Sequence, residues 1–103
     1  MTYSVNELFG IAGKVAIVTG GSRGIGRMIA EAYVANGVKT YITARKIEAC
    51  EQTASELGEL GECIALPADL STAAGREEFV TEIMSRESSI DILVNNAGAA
   101  WGR

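Results

Sequence analysis

The sequence predicts an α/β chain built on a parallel, doubly wound sheet. Three observations carry this. Short apolar runs rich in valine and isoleucine alternate with longer segments whose apolar residues recur at helical spacing. Turn residues, mostly glycine, punctuate the changeovers. The alternation then runs through four candidate strands, and parallel neighbours need a crossover helix between them.

The elements follow in order. Residues 1–13 are a lead-in, with Gly10 and Gly13 as breaks. Residues 14–19 (KVAIVT) suit a strand buried on both faces. Residues 20–26 form a glycine loop, and Ile25, Ile29, Ala32 and Tyr33 mark the apolar stripe of a helix over 25–36. Asn36-Gly37 stops that helix, because glycine accepts the left-handed conformation. Residues 38–44 (VKTYITA) are the second strand. A helix over 46–60 places Ile47, Cys50, Ala54 and Leu57 on one stripe and stops at Gly61. Residues 62–66 are a third strand, closed by Pro67, which has no N–H for a sheet ladder. Ser71 or Thr72 caps a helix reaching about Arg86, with Phe79, Val80, Ile83 and Met84 as its apolar stripe. Gly75 is an unfavourable residue near its start. Residues 90–94 (IDILV) are the fourth strand, and 95–103 form a loop of mostly small and polar residues ending in Trp101-Gly102-Arg103.

No linker or longer repeat divides the chain, so residues 1–103 are expected to form one domain. Right-handed crossovers place helices on both faces of the sheet. Ligands of such sheets bind beyond the carboxyl ends of the strands. Three loops lie at that end: 20–26, 68–70 and 95–98.

Composition narrows the function. With 103 residues, 48% hydrophobic and 21% charged, the chain reads as a soluble globular domain. No apolar run approaches the roughly 18–20 residues that cross a bilayer, so no membrane partner is expected. A basic, apolar leader is absent, which makes cytoplasmic the expected location. The net charge is −4 and no basic block occurs, so nucleic acid is not an expected partner. The absence of histidine excludes His-based triads, bases and metal ligands within these residues. Cys50 and Cys63 fit neither a redox pair nor a zinc site, and both are expected to be reduced, mostly buried thiols.

The glycine loop is the strongest feature. Gly20, Gly24 and Gly26 follow a strand and open a helix. Glycine there lets the backbone turn sharply and approach a pyrophosphate, and the helix N-terminus offers N–H groups and partial positive charge. A three-glycine spacing alone is weak, and its position between strand and helix gives it meaning. A structural turn that merely joins strand to helix is the plain alternative. Gly21 and Gly26 have P-loop spacing, but Arg27-Met28 replaces the Lys-[Ser/Thr] that holds phosphate and magnesium, which disfavours nucleoside-triphosphate hydrolysis.

Taken together, these residues resemble the short-chain dehydrogenase/reductase family. The stretch from Thr19 to Gly26 (TGGSRGIG) is similar to its T-G-x-x-x-G-I-G cofactor motif. Asp69-Leu70 resembles its adenine-contacting pair, and Asn95-Asn96-Ala97-Gly98 matches its N-N-A-G motif. The motifs fall in order at the ends of the first, third and fourth strands, and the resemblance spans about Gly13 to Gly102. Ala44-Arg45, Glu48-Ala49-Cys50 and Trp101-Gly102 are most similar to its 3-ketoacyl reductases, including the rhamnolipid-synthesis type. The fold implied is the N-terminal half of a Rossmann-type sheet, with strand order 3-2-1-4.

The resemblance also assigns roles. Gly20, Gly24 and Gly26 shape the phosphate loop, and Ser22, Arg23 and Ile25 contact the cofactor. Asp69 accepts from the adenine amino group, with Leu70 beside it. Asn95 and Asn96 stabilise the strand end and approach the adenosine, and Gly98 leaves room for the nicotinamide ribose. A strand-end turn is the plain role for Asp69, and local backbone bonding is the plain role for the Asn pair.

The cofactor expected is NADP. An NAD site usually places a carboxylate after the second strand to bond the ribose 2′-hydroxyl. Here that region reads Thr43-Ala44-Arg45-Lys46, with no acid before Glu48. The planar forks of Arg45 and Arg23 suit a 2′-phosphate, although a solvated surface charge is the ordinary role of either.

The family's catalytic Ser and Tyr-x-x-x-Lys are not found. Tyr3, Tyr33 and Tyr41 are followed four positions on by Glu7, Gly37 and Arg45. The expectation is therefore the cofactor-binding portion of a longer, NADP-dependent carbonyl reductase, with a small carbonyl or acyl-thioester substrate and a homo-oligomeric full-length form. Two alternatives stand beside it: a dinucleotide-binding module without catalysis, and a non-functional fragment. The fourth strand is expected to present an exposed apolar edge, so that these residues alone are unstable or self-associate.

Overall fold

The computed structural model describes residues 11–96. Seven elements alternate: β1 (Val15–Thr19), α1 (Gly24–Ala35), β2 (Lys39–Thr43), α2 (Ile47–Leu57), β3 (Cys63–Ala65), α3 (Ala73–Arg86) and β4 (Ile92–Asn95). All pairings are parallel, and the strand order is β3-β2-β1-β4. This is the expected α/β half-sheet. Its register sets Thr19 of β1 beside Thr43 of β2 and Asn95 of β4 at one end of the sheet.

Alternation along the strands sends side chains to two cores. Val18 and Ile42 pack with Ala30 of α1 and with Cys50, Ala54 and Leu57 of α2. Ile17 and Tyr41, one residue earlier on each strand, pack with Phe79 and Ile83 of α3. Helices therefore cover both faces, and the two inner strands are buried nearly throughout.

The strands and helix limits depart from expectation by a few residues, and two glycines change meaning. Helix α2 ends at Leu57 with Gly58 as its cap, three residues before Gly61. Leu57 is the last buried position, and Leu60 is exposed. Gly61 instead lies against α1, where an added Cβ would sit 2.7 Å from the Val34 carbonyl oxygen. Gly75, far from being a weak spot, is buried in the first turn of α3, where a Cβ would meet the Asp69 carbonyl oxygen at 1.9 Å. Thr72 caps that turn by accepting from the Gly75 N–H at 2.9 Å.

The buried faces also differ from the expected stripes. Helix α1 buries Gly26, Ala30 and Val34, while Ile25 is 68% exposed. Small residues at that spacing let the helix lie close to the sheet, and Ile29 and Tyr33 pack at the margin. Ile47 of α2, and Val80 and Met84 of α3, are exposed as well. The Asn36-Gly37 stop is as expected: Gly37 has φ +85°, and the Val38 N–H returns to the Tyr33 carbonyl.

At the amino end of the sheet, β4 is clamped to β1. The Val15 N–H donates to Asp91 Oδ2 at 2.9 Å, and the Asp91 N–H donates to the Val15 carbonyl at 3.0 Å. Strand β4 is the outer strand among the described residues, with Leu93 67% exposed. Among the described residues no helix is long and apolar enough to cross a membrane.

Candidate functional site

The carboxyl ends of β1, β2 and β4 meet at the glycine loop. After β1 the chain turns through Gly20 (φ +67°) and Gly24 (φ +62°), a region that favours glycine. The Gly20 and Gly21 N–H groups both donate to the Thr43 carbonyl, at 2.9 and 3.4 Å, which extends the β1–β2 ladder into the loop. Gly21 has no room for a side chain, since a Cβ would lie 2.7 Å from Ile42 Cγ2.

Gly26 sets the shape of the cradle. An added Cβ would sit 2.1 Å from the Gly20 carbonyl oxygen and 2.8 Å from Asn96 Nδ2. The start of α1 can thus pack over the loop only with glycine at this position. Helix α1 has no side-chain cap, and its first bond runs from the Arg27 N–H to the Arg23 carbonyl at 3.3 Å. The N–H groups of Arg23, Gly24, Ile25 and Gly26 donate to no described residue. Successive backbone donors at a helix start form a concavity suited to an anion.

A strap at Thr19 joins β1 to β4. The Thr19 hydroxyl accepts the Asn96 N–H at 2.8 Å and reaches the Val94 carbonyl at 3.3 Å and Asn95 Oδ1 at 3.2 Å. Asn96 Nδ2 donates to the Gly20 carbonyl at 3.4 Å. The structure thus brings Asn95 and Asn96 to the loop and gives Asn96 a clear structural task. Thr43, beside Thr19, is buried, and its hydroxyl has no hydrogen-bond partner among the described residues.

Asp69 begins the turn into α3. Its Oδ1 accepts from the Ser71 N–H at 3.0 Å and from the Ser71 hydroxyl at 2.5 Å. Those bonds, aided by the charge of Arg45, hold its carboxyl below the usual carboxylate range. Oδ2 carries no bond to a described residue. Leu70 packs against the α3-side core, and its carbonyl takes the Arg76 guanidinium at 3.0 Å. Arg23 and Arg45 are exposed on neighbouring loops, and neither side chain has an ion pair or hydrogen bond among the described residues. Gly98 lies outside the described residues.

Sequence reasoning missed the supports of the loop. Thr53 of α2 is buried, and its hydroxyl donates to the Ser22 carbonyl at 2.8 Å. Arg27 donates to that hydroxyl at 3.4 Å and pairs with Glu56 at 2.7 Å. The Arg27 bond holds the Glu56 carboxyl below its ordinary value. The only sequence signal was a threonine on the otherwise apolar stripe of α2. Thr19 stood inside the quoted motif, but its link to the Asn pair needs the fold.

Both cysteines are free thiols, Cys50 buried and Cys63 half-buried. Cys50 is buried and donates to the Ile42 carbonyl at 3.4 Å. Burial, and secondarily the neighbouring Cys50, pushes the Cys63 thiol up to about 11. Among the described residues no cluster of His, Cys, Asp or Glu could hold a metal ion.

Comparison with known proteins agrees with this geometry. Over 98 residues the chain is 49% identical to the rhamnolipids biosynthesis 3-oxoacyl-[acyl-carrier-protein] reductase of Pseudomonas aeruginosa, covering 95% of this chain and 38% of that protein. It is 42% identical over 86 residues to the 3-oxoacyl-[acyl-carrier-protein] reductase FabG of Salmonella typhimurium, covering 84% and 34%. Among solved structures, the Pseudomonas aeruginosa RhlG/NADP active-site complex superposes with a TM-score of 0.81 and 48% identity, over 84% of this chain and 35% of that one. The chain spans roughly a third of the length of the relatives it matches. Residues 14–103 match the family described as short chain dehydrogenase, and the chain belongs to that family as a cofactor-binding N-terminal portion.

Proposed function

We propose that residues 1–103 supply the NADP site of an oxidoreductase that reduces a carbonyl, with a 3-ketoacyl thioester as the substrate class. The observation that carries the cofactor reading is the cradle at Gly26: closely packed glycines and four successive N–H groups with no described acceptor. A dinucleotide pyrophosphate fits that donor set. The cofactor, when bound, supplies the hydride. The residues of this chain bind and orient it.

Gly20, Gly24 and Gly26 keep side chains out of the phosphate path. Ser22, Arg23 and Ile25 border it, and Asp69 keeps Oδ2 for the adenine amino group with Leu70 at its side. Asn95 and Asn96 hold the end of β4 against the loop, and Gly98 leaves space for the nicotinamide ribose. Arg23 and Arg45 face the 2′-phosphate. NADP is favoured over NAD because no carboxylate follows β2 before Glu48. The 3-ketoacyl substrate is drawn from the reductase relatives. A homo-oligomer is the assembly proposed for the full-length form.

Cofactor choice is tested by Arg45→Asp with fluorescence titrations of NADPH and NADH. NADPH affinity is expected to fall by at least about tenfold, and NADH affinity to change by less than about threefold. Equal losses for both overturn the assignment to NADP. The substrate class is tested in the full-length form, which carries the catalytic residues, by following NADPH consumption with a 3-ketoacyl thioester. Reduction of simple ketones alone would overturn it.

A further inference from the structure

The glycine loop is usually read as a feature of one strand and one helix. Here the next helix also grips it. The Thr53 hydroxyl, on α2, donates to the carbonyl of Ser22, 31 residues earlier in sequence. That hydroxyl in turn accepts from Arg27, which is anchored by Glu56, itself bonded to Gln52 Nε2 at 3.1 Å. Three of these four groups come from α2, and the chain of donors ends on the peptide between Ser22 and Arg23.

That peptide has a defined consequence for its other end. In a trans peptide the C=O and the following N–H point in opposite directions. With the Ser22 carbonyl held by Thr53, the Arg23 N–H points away from that hydroxyl. It is the first of the four N–H groups without a described acceptor. We infer that Thr53 is a positioning residue that fixes the Ser22–Arg23 peptide so that the Arg23 N–H is presented to the bound anion. Polarisation along Arg27, Thr53 and Ser22 strengthens the hold, because each donor sharpens the next. Thr53 touches no cofactor itself. Because α2 begins two residues after Arg45, the same helix that holds the loop also carries the chain on from the arginine.

The inference rests on the dinucleotide-binding reading, and its test separates the two. The protein and its Thr53→Val and Thr53→Ser variants are titrated with NADPH, well below their unfolding temperatures. Thr53→Val keeps the shape but removes the hydroxyl, and is expected to weaken NADPH by roughly five- to tenfold. Thr53→Ser restores the hydroxyl and is expected to stay within about twofold of the parent. If Thr53→Val does not fold, Thr53→Ala against Thr53→Ser poses the same question. A purely structural threonine would lower the unfolding temperature of Val or Ala while leaving NADPH affinity within about twofold, and that result overturns the inference. Equal weakening by Ser and Val also overturns it. If the unsubstituted protein binds no NADPH, the cofactor reading fails and the inference falls with it.

Discussion

The two ends of the sheet are built from the same strands and use their polar groups in opposite ways. At the amino end, charges are matched to one another. Glu87 accepts from the Tyr41 hydroxyl at 2.5 Å and pairs with Lys39 at 2.6 Å, and the Lys39 ammonium sits 5.8 Å from the Tyr41 ring centroid. Asp91 and Val15 exchange two hydrogen bonds nearby. At the carboxyl end, side chains bond backbone to hold a shape, and the donors at the centre of that shape are left open. An end whose groups satisfy each other closes the fold. An end whose side chains hold unengaged N–H groups in place has the form the proposed cofactor site requires.

The contrast predicts that changes at the carboxyl end act on binding first. The largest effect is expected from Gly26→Ala. Its Cβ would need the Gly20 carbonyl, a backbone atom, to move from 2.1 Å, so the cradle must open. NADPH affinity is expected to drop on the order of a hundredfold, within the range of overpacking penalties. An affinity within threefold of the parent would break the comparison. Thr19→Val comes next. It removes the acceptor for the Asn96 N–H and loosens β4 from the loop, with an expected weakening of about tenfold by the same titration.

These residues also show what the sequence could reveal. The parallel α/β architecture and the loop positions followed from alternation of apolar runs, and the strand order followed from the family resemblance. The buried faces of the helices were less legible. Ile25 headed the apolar stripe read for α1 yet is exposed, because the helix packs through Gly26 and Ala30, where closeness rather than hydrophobicity decides. Gly75 looked like a weak helix residue and is a packing requirement for the same reason. The role of Thr53 was not legible, because its partner, Ser22, lies across a helix and a strand. Residues defined by their own backbone were readable, and residues defined by a distant partner were not.

Changes at the amino end should leave binding alone and appear in stability. Lys39, first, and the Tyr41 hydroxyl hold the Glu87 carboxyl below its ordinary value. A group depressed in the folded state contributes stability above the unfolded carboxylate value of about 4.3, and that contribution is lost as pH falls through the folded value. Thermal unfolding followed from pH 7 to pH 3 should therefore show an acid loss that is reduced in Glu87→Gln. An identical acid profile in the variant would remove Glu87 from the account.

The smallest expected effect is the most discriminating. Tyr41→Phe removes one hydroxyl from a buried ring and leaves Glu87 paired with Lys39. The ring still packs against Phe79 and Ile83, so the cost is that of one hydrogen bond, about 1 kcal/mol in denaturant unfolding. Tyr41 sits one register step from Ile42, which lies against Gly21 of the loop, so any coupling between the ends has a short path through β2. NADPH affinity is nevertheless expected to stay within about twofold, because the ladder from Thr43 to Gly20 is untouched. A tenfold loss of NADPH affinity in Tyr41→Phe would mean that the two ends are one unit, with the amino-end cluster holding β2 in the position the loop requires.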